Sequence, residues 1–422
     1  MAKMVIHGGK RLSGTVTIGG AKNSTVAIIP ATILADSPVI LDSVPQIKDV
    51  YNLMDMLGSM NVASDYDGDV LRVDPTQIKF IALPHGKVKS LRASYYFMGS
   101  MLGRFGKAVV GFPGGDDIGP RPIDQHIKGF KALGAQVHQQ KDSIVIEAPH
   151  GLHGARIFLD MVSVGATINI ILAAVRAHGT TVIENAAREP EIIDLATFLN
   201  NMGAQIRGVG TQTIRITGVE HLGTQGSHTI IPDRIEAGTY LSLAAAVGDG
   251  ILVKNIIAEH LDAFLAKIQE MGVNLDVRED SIFVYPNSQL SGIKVKTSVY
   301  PGFATDLQQP LTPLMLLADS QSTIIDSIYP KRTRHIPELI KMGAHIKVVN
   351  NQILVNHTSH LTGTEVTAEE IRGGASLMIA ALMAEGTTVI DCAENIMRGY
   401  DRIITKLQNL KADVSYSGNE IF

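Results

Sequence analysis

The sequence is poor in cysteine: among 422 residues it has a single one, Cys392. A lone thiol excludes an internal disulfide and any metal site made of clustered cysteines, and it fits a reducing compartment. The other metal-ligating side chains do not occur at a spacing typical of metal sites either. We therefore expect no metal and no redox cofactor.

Long hydrophobic runs are also missing. The longest run covers residues 161–175, which is shorter than the roughly 18 to 20 residues that a membrane-spanning helix needs. We predict that this run forms a buried helix. The N-terminus has no apolar segment that would mark a signal peptide. These features predict a soluble cytoplasmic protein with no membrane partner.

Neither sign of charge is in large excess. The 37 Lys and Arg residues against 41 Asp and Glu residues give a formal net charge of −4. This balance offers no bulk attraction to nucleic acid or to an anionic membrane, so an anion-binding site must be a local cluster. The hydrophobic content of 45% and the length predict a globular chain of two or three domains.

What the sequence does contain is a unit of about 70 residues in six loosely related copies. Each copy predicts a helix that is apolar on nearly all sides, a short strand, an amphipathic helix and two further strands. A helix with this all-round apolar pattern is buried. The amphipathic helix ends near a tripeptide that resembles Met-Gly-Ala, at residues 60–62, 133–135, 202–204, 271–273, 342–344 and, in its weakest copy, 410–412.

The copies divide into two groups of three, and the last copy is incomplete. It ends before its final strands, while residues 5–18 at the start of the chain show the missing pattern. We therefore expect one domain over residues 22–230 and a second made of residues 1–21 and 231–422. Two crossings between the domains would leave a cleft for an active site. The predicted fold class is α/β, with buried helices surrounded by sheets.

The first helices of the six copies are predicted to begin beside polar or charged residues. These are Lys22 with Asn23, Arg92, Ser163 with Val164 and Gly165, Asp233 with Arg234, Thr305 with Asp306, and Arg372. Helix N-termini favour phosphate and carboxylate ligands, and arginine binds both with two parallel hydrogen bonds. Arg121 and Arg398, in loops of the same copies, would add to this cluster. Each cation taken alone is more often an ordinary surface charge, but their repetition indicates a substrate with several anionic groups.

Residues 113–122 form a second stretch whose composition indicates a functional loop. Three glycines and three prolines in ten residues exclude a helix or a central strand. The glycines suit a mobile lid over residues 112–122, and Asp116 and Asp117 beside Arg121 suit acid–base chemistry. A plain surface turn is an equally good interpretation of the composition alone.

Several longer motifs make the chain resemble the UDP-N-acetylglucosamine enolpyruvyl transferases along essentially its whole length. The matching stretches are residues 19–23, 91–94, 113–115, 121–126, 163–167, 184–191, 231–236, 305–308 and 398–400. The resemblance implies two inside-out α/β barrels of three repeats each. It also implies transfer of the enolpyruvyl group of phosphoenolpyruvate to the 3-hydroxyl of UDP-N-acetylglucosamine, with release of phosphate by addition–elimination. This is the first committed step of peptidoglycan synthesis.

The resemblance also implies roles for individual residues. Lys22, Arg121 and Arg398 would bind phosphoenolpyruvate, with Arg92 completing the positive cluster. Asp306 would take the proton from the attacking hydroxyl, and Asp116 stands where most members have a cysteine that donates a proton. The substrate-binding residues would further include Asn23, Pro122, Ile123, Asp124, Gln125, His126, Ser163, Val164, Gly165, Ile328 and Arg372.

The chain departs from the family pattern at three further positions. Met161 replaces a lysine, Gln125 replaces a leucine and Glu370 replaces an aspartate. Two alternatives to the implied activity stay open. The related enolpyruvylshikimate-phosphate synthases share the fold but usually have Lys-Ser where this chain has Lys22 and Asn23. A paralogue that binds the sugar nucleotide as a sensor would not need the base Asp306, so its retention favours an enzyme.

Overall fold

The structure is a computed structural model that describes residues 2–83, 92–112, 122–223, 226–286 and 289–418. The side chains of Arg92 and Ala93 also lie outside this description. The helices are α1 Lys22–Ala31, α2 Lys48–Ser59, α3 Tyr96–Phe105, α4 Asp124–Ala132, α5 Val164–Ala174, α6 Pro190–Asn201, α7 Arg234–Val247, α8 Asp262–Glu270, α9 Thr305–Met315, α10 His335–Lys341, α11 Ile371–Met383, α12 Glu394–Met397 and α13 Ile403–Asn409.

Short strands alternate with these helices. They are β1 Lys3–His7, β2 Leu12–Thr17, β3 Val39–Asp42, β4 Ala63–Asp67, β5 Val70–Asp74, β6 Lys107–Gly111, β7 Gln136–Gln139, β8 Ser143–Glu147, β9 Arg156–Phe158, β10 Thr180–Glu184, β11 Gln205–Arg207, β12 Thr213–Thr217, β13 Ser227–Thr229, β14 Gly248–Lys254, β15 Leu275–Val277, β16 Ser281–Val284, β17 Lys294–Lys296, β18 Ser322–Ile325, β19 Ile346–Val349, β20 Gln352–Val355, β21 Glu365–Thr367, β22 Thr387–Asp391 and β23 Asp413–Ser417. Three 3₁₀ turns cover Thr32–Leu34, Arg92–Tyr95 and Ala258–Leu261.

The described residues divide into two compact units after Gly19 and after Ile231. The N-terminal half contains residues 20–112 and 122–231, and the C-terminal half contains residues 2–19 and 232–418. Each half has its own hydrophobic core of buried, mostly aliphatic side chains.

In the N-terminal half, three sheets surround a group of apolar helices. The strand orders are β13-β3-β5-β4, β6-β8-β7 and β11-β12-β10-β9. Helix α3 packs against both α1 and α5, while α2, α4 and α6 are amphipathic and lie outside them. Every residue of α5 from Gly165 to Ala174 is buried, as its all-apolar sequence predicts.

The C-terminal half repeats this plan. Its sheets have the orders β15-β16-β14-β2, β17-β18-β20-β19 and β21-β22-β1-β23, and α7, α9 and α11 pack against one another in all three pairs. The N-terminal strands belong to this half. Strand β1 lies antiparallel between β22 and β23, and β2 pairs in parallel with β14. Both halves thus have the inside-out α/β fold that the six copies predict.

The buried helix predicted from the apolar run over residues 161–175 starts too early, whereas the start beside Ser163 predicted from the repeats is confirmed. Ser163 is the N-cap residue, and its Oγ accepts a hydrogen bond from the Ala166 N–H over 3.2 Å. Helix α5 therefore begins at Val164. Met161 precedes the cap, and 55% of its surface is exposed. Within the described ranges, every helix is too short or too polar to cross a membrane.

The recurring tripeptide is a helix C-terminal cap. Its middle residue has a positive φ in all six copies, at Asn61, Gly134, Gly203, Gly272, Gly343 and Lys411. The N–H of the third residue donates to the carbonyl five positions earlier, as in Ala204 to Leu199 over 3.0 Å. This is the Schellman arrangement, and the first and third residues of each tripeptide are buried beside it. Glycine is preferred in the middle because it has no Cβ to strain a left-handed backbone.

Candidate functional site

Lys22 is the first residue of α1 and lies close to a buried carboxylate. Its Nζ is 3.2 Å from Asp49 Oδ2, in the first turn of α2. The Lys22 side chain is 14% exposed, whereas that of Asp49 is 1% exposed. Asn23 follows and is partly buried. The start of α1 therefore presents an ammonium group beside the positive end of a helix dipole, which favours an anionic ligand.

The start of α1 is held by a second buried carboxylate, Asp194 of α6. Its Oδ2 accepts a hydrogen bond from Ser24 Oγ over 2.6 Å, and its Oδ1 lies 2.9 Å from His228 Nε2. The N–H of Ile231 also points to Asp194 Oδ2, over 3.4 Å. Asp194 thus joins α1, α6 and β13 and fixes the helix turn that carries Lys22.

The start of α5 meets the Tyr95 and His126 rings. A Cβ atom added to Gly165 would lie 2.4 Å from Tyr95 Oη and 2.9 Å from His126 Nε2, so only glycine fits there. The two rings contact each other edge to face, with 5.2 Å between their centroids. Gly165 and His126, which come from separate stretches of the sequence, are therefore neighbours.

Gln125 connects α4 to the segment before α5. Its Oε1 accepts from the Asp160 N–H over 2.9 Å, and its Nε2 donates to Asp160 Oδ2 over 3.2 Å. The same Nε2 donates to Asp124 Oδ2 over 2.7 Å. Lys128 Nζ is 2.6 Å from Asp160 Oδ1, and the hydrogen bonds from Lys128 and Gln125 lower the pKa of Asp160. Asp160 and Lys128 are polar neighbours that the sequence analysis missed.

The remaining predicted residues of this half are less well placed. Pro122 is exposed and Ile123 packs against the hydrophobic core. Arg92 belongs to a 3₁₀ turn that precedes α3, so the α-helix begins four residues later than predicted, at Tyr96. The side chain of Arg92, together with Asp116 and Arg121, lies outside the described residues.

In the C-terminal half, Asp306 lies in the first turn of α9 between two arginines. Arg332 Nη1 is 2.6 Å from its Oδ1, and Arg372 Nε is 3.5 Å from its Oδ2. The Asp306 side chain is 27% exposed, whereas both arginine side chains are buried. Two guanidinium groups favour the ionised carboxylate, which is the form that a general base needs.

Arg332 is balanced by a second carboxylate, Glu370. Arg332 donates from Nη2 over 2.9 Å and from Nε over 3.1 Å, in both cases to Glu370 Oε2, while Gln309 Nε2 donates to Oε1. Burial lowers the pKa of Arg332, but Asp306 and Glu370 together raise it above its ordinary value. Sequence reasoning missed Arg332, because its only signal is one basic residue among several in residues 331–334.

The loop that contains Ile328 is fixed to the start of α9 by Asp326. The Ile328 N–H donates to Asp326 Oδ1 over 2.9 Å. Thr297 Oγ1 donates to the same oxygen over 2.7 Å, and Thr305 Oγ1 donates to Oδ2 over 2.6 Å. Thr305 is the first residue of α9, so this carboxylate brings Ile328 near Asp306.

Arg372 and Arg398 are close to each other through Gly399. Arg372 is buried in the first turn of α11, and its Nη1 donates to the Gly399 carbonyl over 3.5 Å. Its guanidinium group lies over the ring of Tyr400. Burial lowers the pKa of Arg372, but Tyr400 and Asp306 raise it above its ordinary value. Arg398, which is partly buried, ends α12 one residue before Gly399.

The C-terminal half brings predicted residues together as a carboxylate flanked by arginines. In the N-terminal half the contacts form two groups, Lys22 with Asp49 and Gly165 with His126. This chemistry suits binding of anions and removal of a proton from a hydroxyl group. In the described part of the chain, no three His, Cys, Asp or Glu side chains are grouped so that they could hold a metal ion.

Comparison with known families gives one match over most of the chain. The family model described as EPSP synthase (3-phosphoshikimate 1-carboxyvinyltransferase) matches residues 6–407.

Curated relatives align over nearly their whole length. UDP-N-acetylglucosamine 1-carboxyvinyltransferase 2 of Latilactobacillus sakei is 67% identical over 414 residues, which are 98% of this chain and 99% of the relative. The UDP-N-acetylglucosamine 1-carboxyvinyltransferase of Lactobacillus acidophilus is 66% identical over 99% of this chain and 98% of its own. UDP-N-acetylglucosamine 1-carboxyvinyltransferase 2 of Streptococcus pyogenes serotype M18 is 57% identical, over 98% of this chain and 99% of its own.

Solved structures show the same fold. The enolpyruvyl transferase NikO from Streptomyces tendae has a TM-score of 0.90 and 25% identity, with 99% of both chains covered. An EPSP synthase from Acinetobacter baumannii has a TM-score of 0.75 and 16% identity, covering 99% of this chain and 100% of its own. At this low identity the second comparison concerns the fold alone.

Proposed function

The chain belongs to the EPSP synthase family of enolpyruvyl transferases, and from this premise we propose which reaction it catalyses. It transfers the enolpyruvyl group of phosphoenolpyruvate to the 3-hydroxyl of UDP-N-acetylglucosamine and releases phosphate. The observation that carries the proposal is the identity of 57–67% to relatives named for that reaction, over at least 98% of this chain. The product is a precursor of peptidoglycan.

The reaction is an addition followed by an elimination. Asp306 takes the proton of the sugar 3-hydroxyl while the hydroxyl oxygen forms a bond to C2 of phosphoenolpyruvate. Asp116 gives a proton to the methylene carbon, which completes the addition. In the elimination, the bond from C2 to the phosphate oxygen breaks and the new methyl group returns a proton to the Asp116 carboxylate. The proton that Asp306 took from the hydroxyl leaves with the phosphate. The double bond is thereby restored and phosphate leaves.

We assign the predicted cations to phosphoenolpyruvate. Lys22 and Arg398 bind the phosphate and carboxylate of phosphoenolpyruvate, together with Arg372 and the side chains of Arg92 and Arg121. Support comes from the helix starts at Lys22 and Arg372, where the positive end of the helix dipole adds to the charge. Within each half a buried carboxylate balances one cation: Asp49 lies beside Lys22, and Glu370 pairs with Arg332, the arginine that contacts Asp306.

The sugar nucleotide is bound by the N-terminal half, at the starts of α1, α4 and α5. Two observations at the start of α5 support this assignment: Ser163 is the cap residue, and Gly165 contacts His126. A helix N-terminus of this kind favours a phosphate group. Asn23, Val164 and residues 122–125 complete this set, and Ile328 is contributed by the C-terminal half. A cytoplasmic location without nucleic-acid or membrane partners fits the single cysteine and the net charge of −4.

A phosphate-release assay with separate substrates tests the proposal. The purified protein is incubated with phosphoenolpyruvate alone, with UDP-N-acetylglucosamine added, and with shikimate 3-phosphate added. We expect phosphate only in the presence of UDP-N-acetylglucosamine. Release that depends on shikimate 3-phosphate would assign the chain to the EPSP synthase reaction. Binding of UDP-N-acetylglucosamine without release in any mixture would indicate a sensor rather than an enzyme.

A further inference from the structure

Tyr400 is one of the largest side chains enclosed completely by the core of the C-terminal half, and the reaction above gives it no role. It follows Arg398 and Gly399 in the segment between α12 and α13. Arg372 Cζ lies 5.0 Å from the centroid of its ring. This distance is typical of a cation–π contact, which is stronger where water is excluded.

The hydroxyl group of Tyr400 has a defined direction. Its Oη lies 3.0 Å from Thr239 Oγ1 of α7, and both groups are buried. Thr239 donates its single hydroxyl proton to the Ile235 carbonyl over 2.8 Å. Thr239 must therefore accept the proton of Tyr400. The ring is held both by the surrounding core and by a directed hydrogen bond to α7.

The Arg372 guanidinium group interacts with the Tyr400 hydroxyl as well as with its ring. Its remaining contacts among the described residues constrain it less. Its hydrogen bond to the Gly399 carbonyl and its approach to Asp306 are both 3.5 Å long. Contacts of this length constrain the plane of the group weakly. The Tyr400 ring is the planar surface against which the guanidinium group rests.

We propose, on the premise of the enolpyruvyl transfer above, that Tyr400 is a positioning residue for Arg372 and, through Arg372, for Asp306. Thr239 holds the ring, the ring holds the guanidinium group, and that group orients the carboxylate. These contacts join α7, α11 and α9, the three helices that pack together in this half. A change at Tyr400 therefore acts on the binding of phosphoenolpyruvate and on proton removal. It does not act on the Gly165 and His126 contact in the other half.

Steady-state kinetics of Tyr400→Leu, Tyr400→Phe and Thr239→Val test the proposal. Matched controls exist in the same core, because Tyr240 of α7 is equally buried and its hydroxyl has no hydrogen-bond partner among the described residues. Tyr240→Leu and Tyr240→Phe remove the same atoms but leave the cation–π contact with Arg372 in place. The KM values for both substrates and kcat are measured for the wild-type protein and all variants.

We expect Tyr400→Leu to lower kcat/KM for phosphoenolpyruvate about 10- to 30-fold, through a raised KM and a lowered kcat, as for loss of a desolvated cation–π contact. The KM for UDP-N-acetylglucosamine should stay within about twofold. Tyr400→Phe and Thr239→Val both remove the hydrogen bond between these two residues, and each should lower kcat/KM by about two- to fivefold. Tyr400→Phe should have the larger effect, because it also removes the interaction of the hydroxyl with Arg372. The double variant should be no worse than Tyr400→Phe alone. The Tyr240 variants should leave both KM values unchanged.

Equal KM values for phosphoenolpyruvate in Tyr400→Leu and Tyr240→Leu would overturn the proposal, and so would an equal rise in both KM values. A merely structural role lowers the active fraction, which reduces apparent kcat in both tyrosine variants and moves neither KM. If Tyr400→Leu does not fold, additive effects of Tyr400→Phe and Thr239→Val would overturn the proposal instead. A wild-type protein that releases no phosphate refutes the enolpyruvyl transfer itself. Release by the wild type with unshifted Tyr400 variants refutes only the positioning role.

Discussion

Asp306 combines two features that a general base requires. It is partly exposed at the start of a helix, and two buried guanidinium groups keep it ionised. The same two contacts hold its oxygens in place before the substrate arrives. Proton removal from a bound hydroxyl therefore needs no rearrangement of the carboxylate, only a hydroxyl within hydrogen-bond reach.

We expect Asp306→Asn to lower kcat about 10²- to 10⁴-fold, the usual contribution of general acid–base catalysis. Asparagine has the same shape and still accepts a hydrogen bond from Arg332, so the affinity for UDP-N-acetylglucosamine should change little. Phosphate release and calorimetric titration with the sugar nucleotide measure the two effects. Asp276→Asn, at an exposed carboxylate paired with Arg278, is the control. A variant that retains a tenth of the wild-type turnover would refute the role of Asp306 as base.

Asp116 lies outside the described residues, and its role as proton donor is open to a chemical test. Fosfomycin alkylates the cysteine that most members have at this position, so we expect the wild-type protein to resist it. Cys392, the sole thiol, is a poor target, because burial and then Glu394 and Asp391 raise its pKa. Asp116→Cys should become sensitive and carry the adduct. A fosfomycin adduct on the wild-type chain in mass spectrometry would contradict this assignment.

His335 should make the stability of the fold depend on pH. It is buried in the first turn of α10, and neither ring nitrogen has a hydrogen-bond partner among the described residues. Burial, and then the charge of Arg332, lower its pKa from 6.5 to about 3. The unfolded chain therefore binds an extra proton between these values. The contribution of neutral His335 to the free energy of unfolding is complete above pH 6.5. As the pH falls from 6.5 towards 3, the free energy of unfolding decreases by up to about 1.4 kcal/mol per pH unit.

Urea unfolding of the wild type and His335→Asn at pH 7, 6 and 5 measures this effect. The free energy of unfolding of the wild type should fall more steeply with acidification than that of the variant. His138→Asn, at an exposed histidine of β7, should parallel the wild type. Parallel curves for His335→Asn and the wild type would show that His335 does not titrate differently on unfolding.

At the level of elements, periodicity and caps predict most of the architecture. The all-apolar pattern identifies α5, and the recurring tripeptide marks six helix ends because each needs a residue with positive φ. The repeats predict the start of α5 beside Ser163, whereas the apolar run alone would extend the helix to Met161, since Met161 and Val162 are as apolar as the helix itself. The helix begins after Ser163 because the Oγ of that residue accepts the hydrogen bond of the Ala166 N–H. Hydrophobicity alone does not indicate such a cap.

The positive φ of these helix caps predicts the effect of Lys411→Gly. Lys411 is the only middle residue of the six tripeptides that is neither glycine nor asparagine, and its φ is +69°. Glycine relieves this strain and should raise the free energy of unfolding by about 1 kcal/mol. The exposed hydrogen bond of Lys411 to Ser13 contributes little. Gly203→Ala, at φ +101°, should lower stability by a similar amount. Chemical denaturation of both variants tests this, and equal shifts in one direction would contradict it.

At the scale of the whole molecule, the sequence predicts the repeats better than the partners within the site. Internal similarity places three inner helices in each half, and the incomplete sixth copy points to β1, which pairs with β22 and β23. Lys22, Asp306 and Arg372 were predicted because they stand at helix starts. Their partners Asp49 and Arg332 lie outside the starts of the six inner helices, so the repeats do not identify them. Only tertiary packing brings them near.

The identity of the product shows most directly whether the protein transfers the enolpyruvyl group to UDP-N-acetylglucosamine. The protein is incubated with phosphoenolpyruvate and UDP-N-acetylglucosamine, and the nucleotide fraction is analysed by mass spectrometry and NMR. We predict a UDP-sugar with an enolpyruvyl ether at the 3-hydroxyl, formed in equal amount to the phosphate released and absent with Asp306→Asn. Recovery of unmodified UDP-N-acetylglucosamine, or an enolpyruvyl group at another position, would contradict the account.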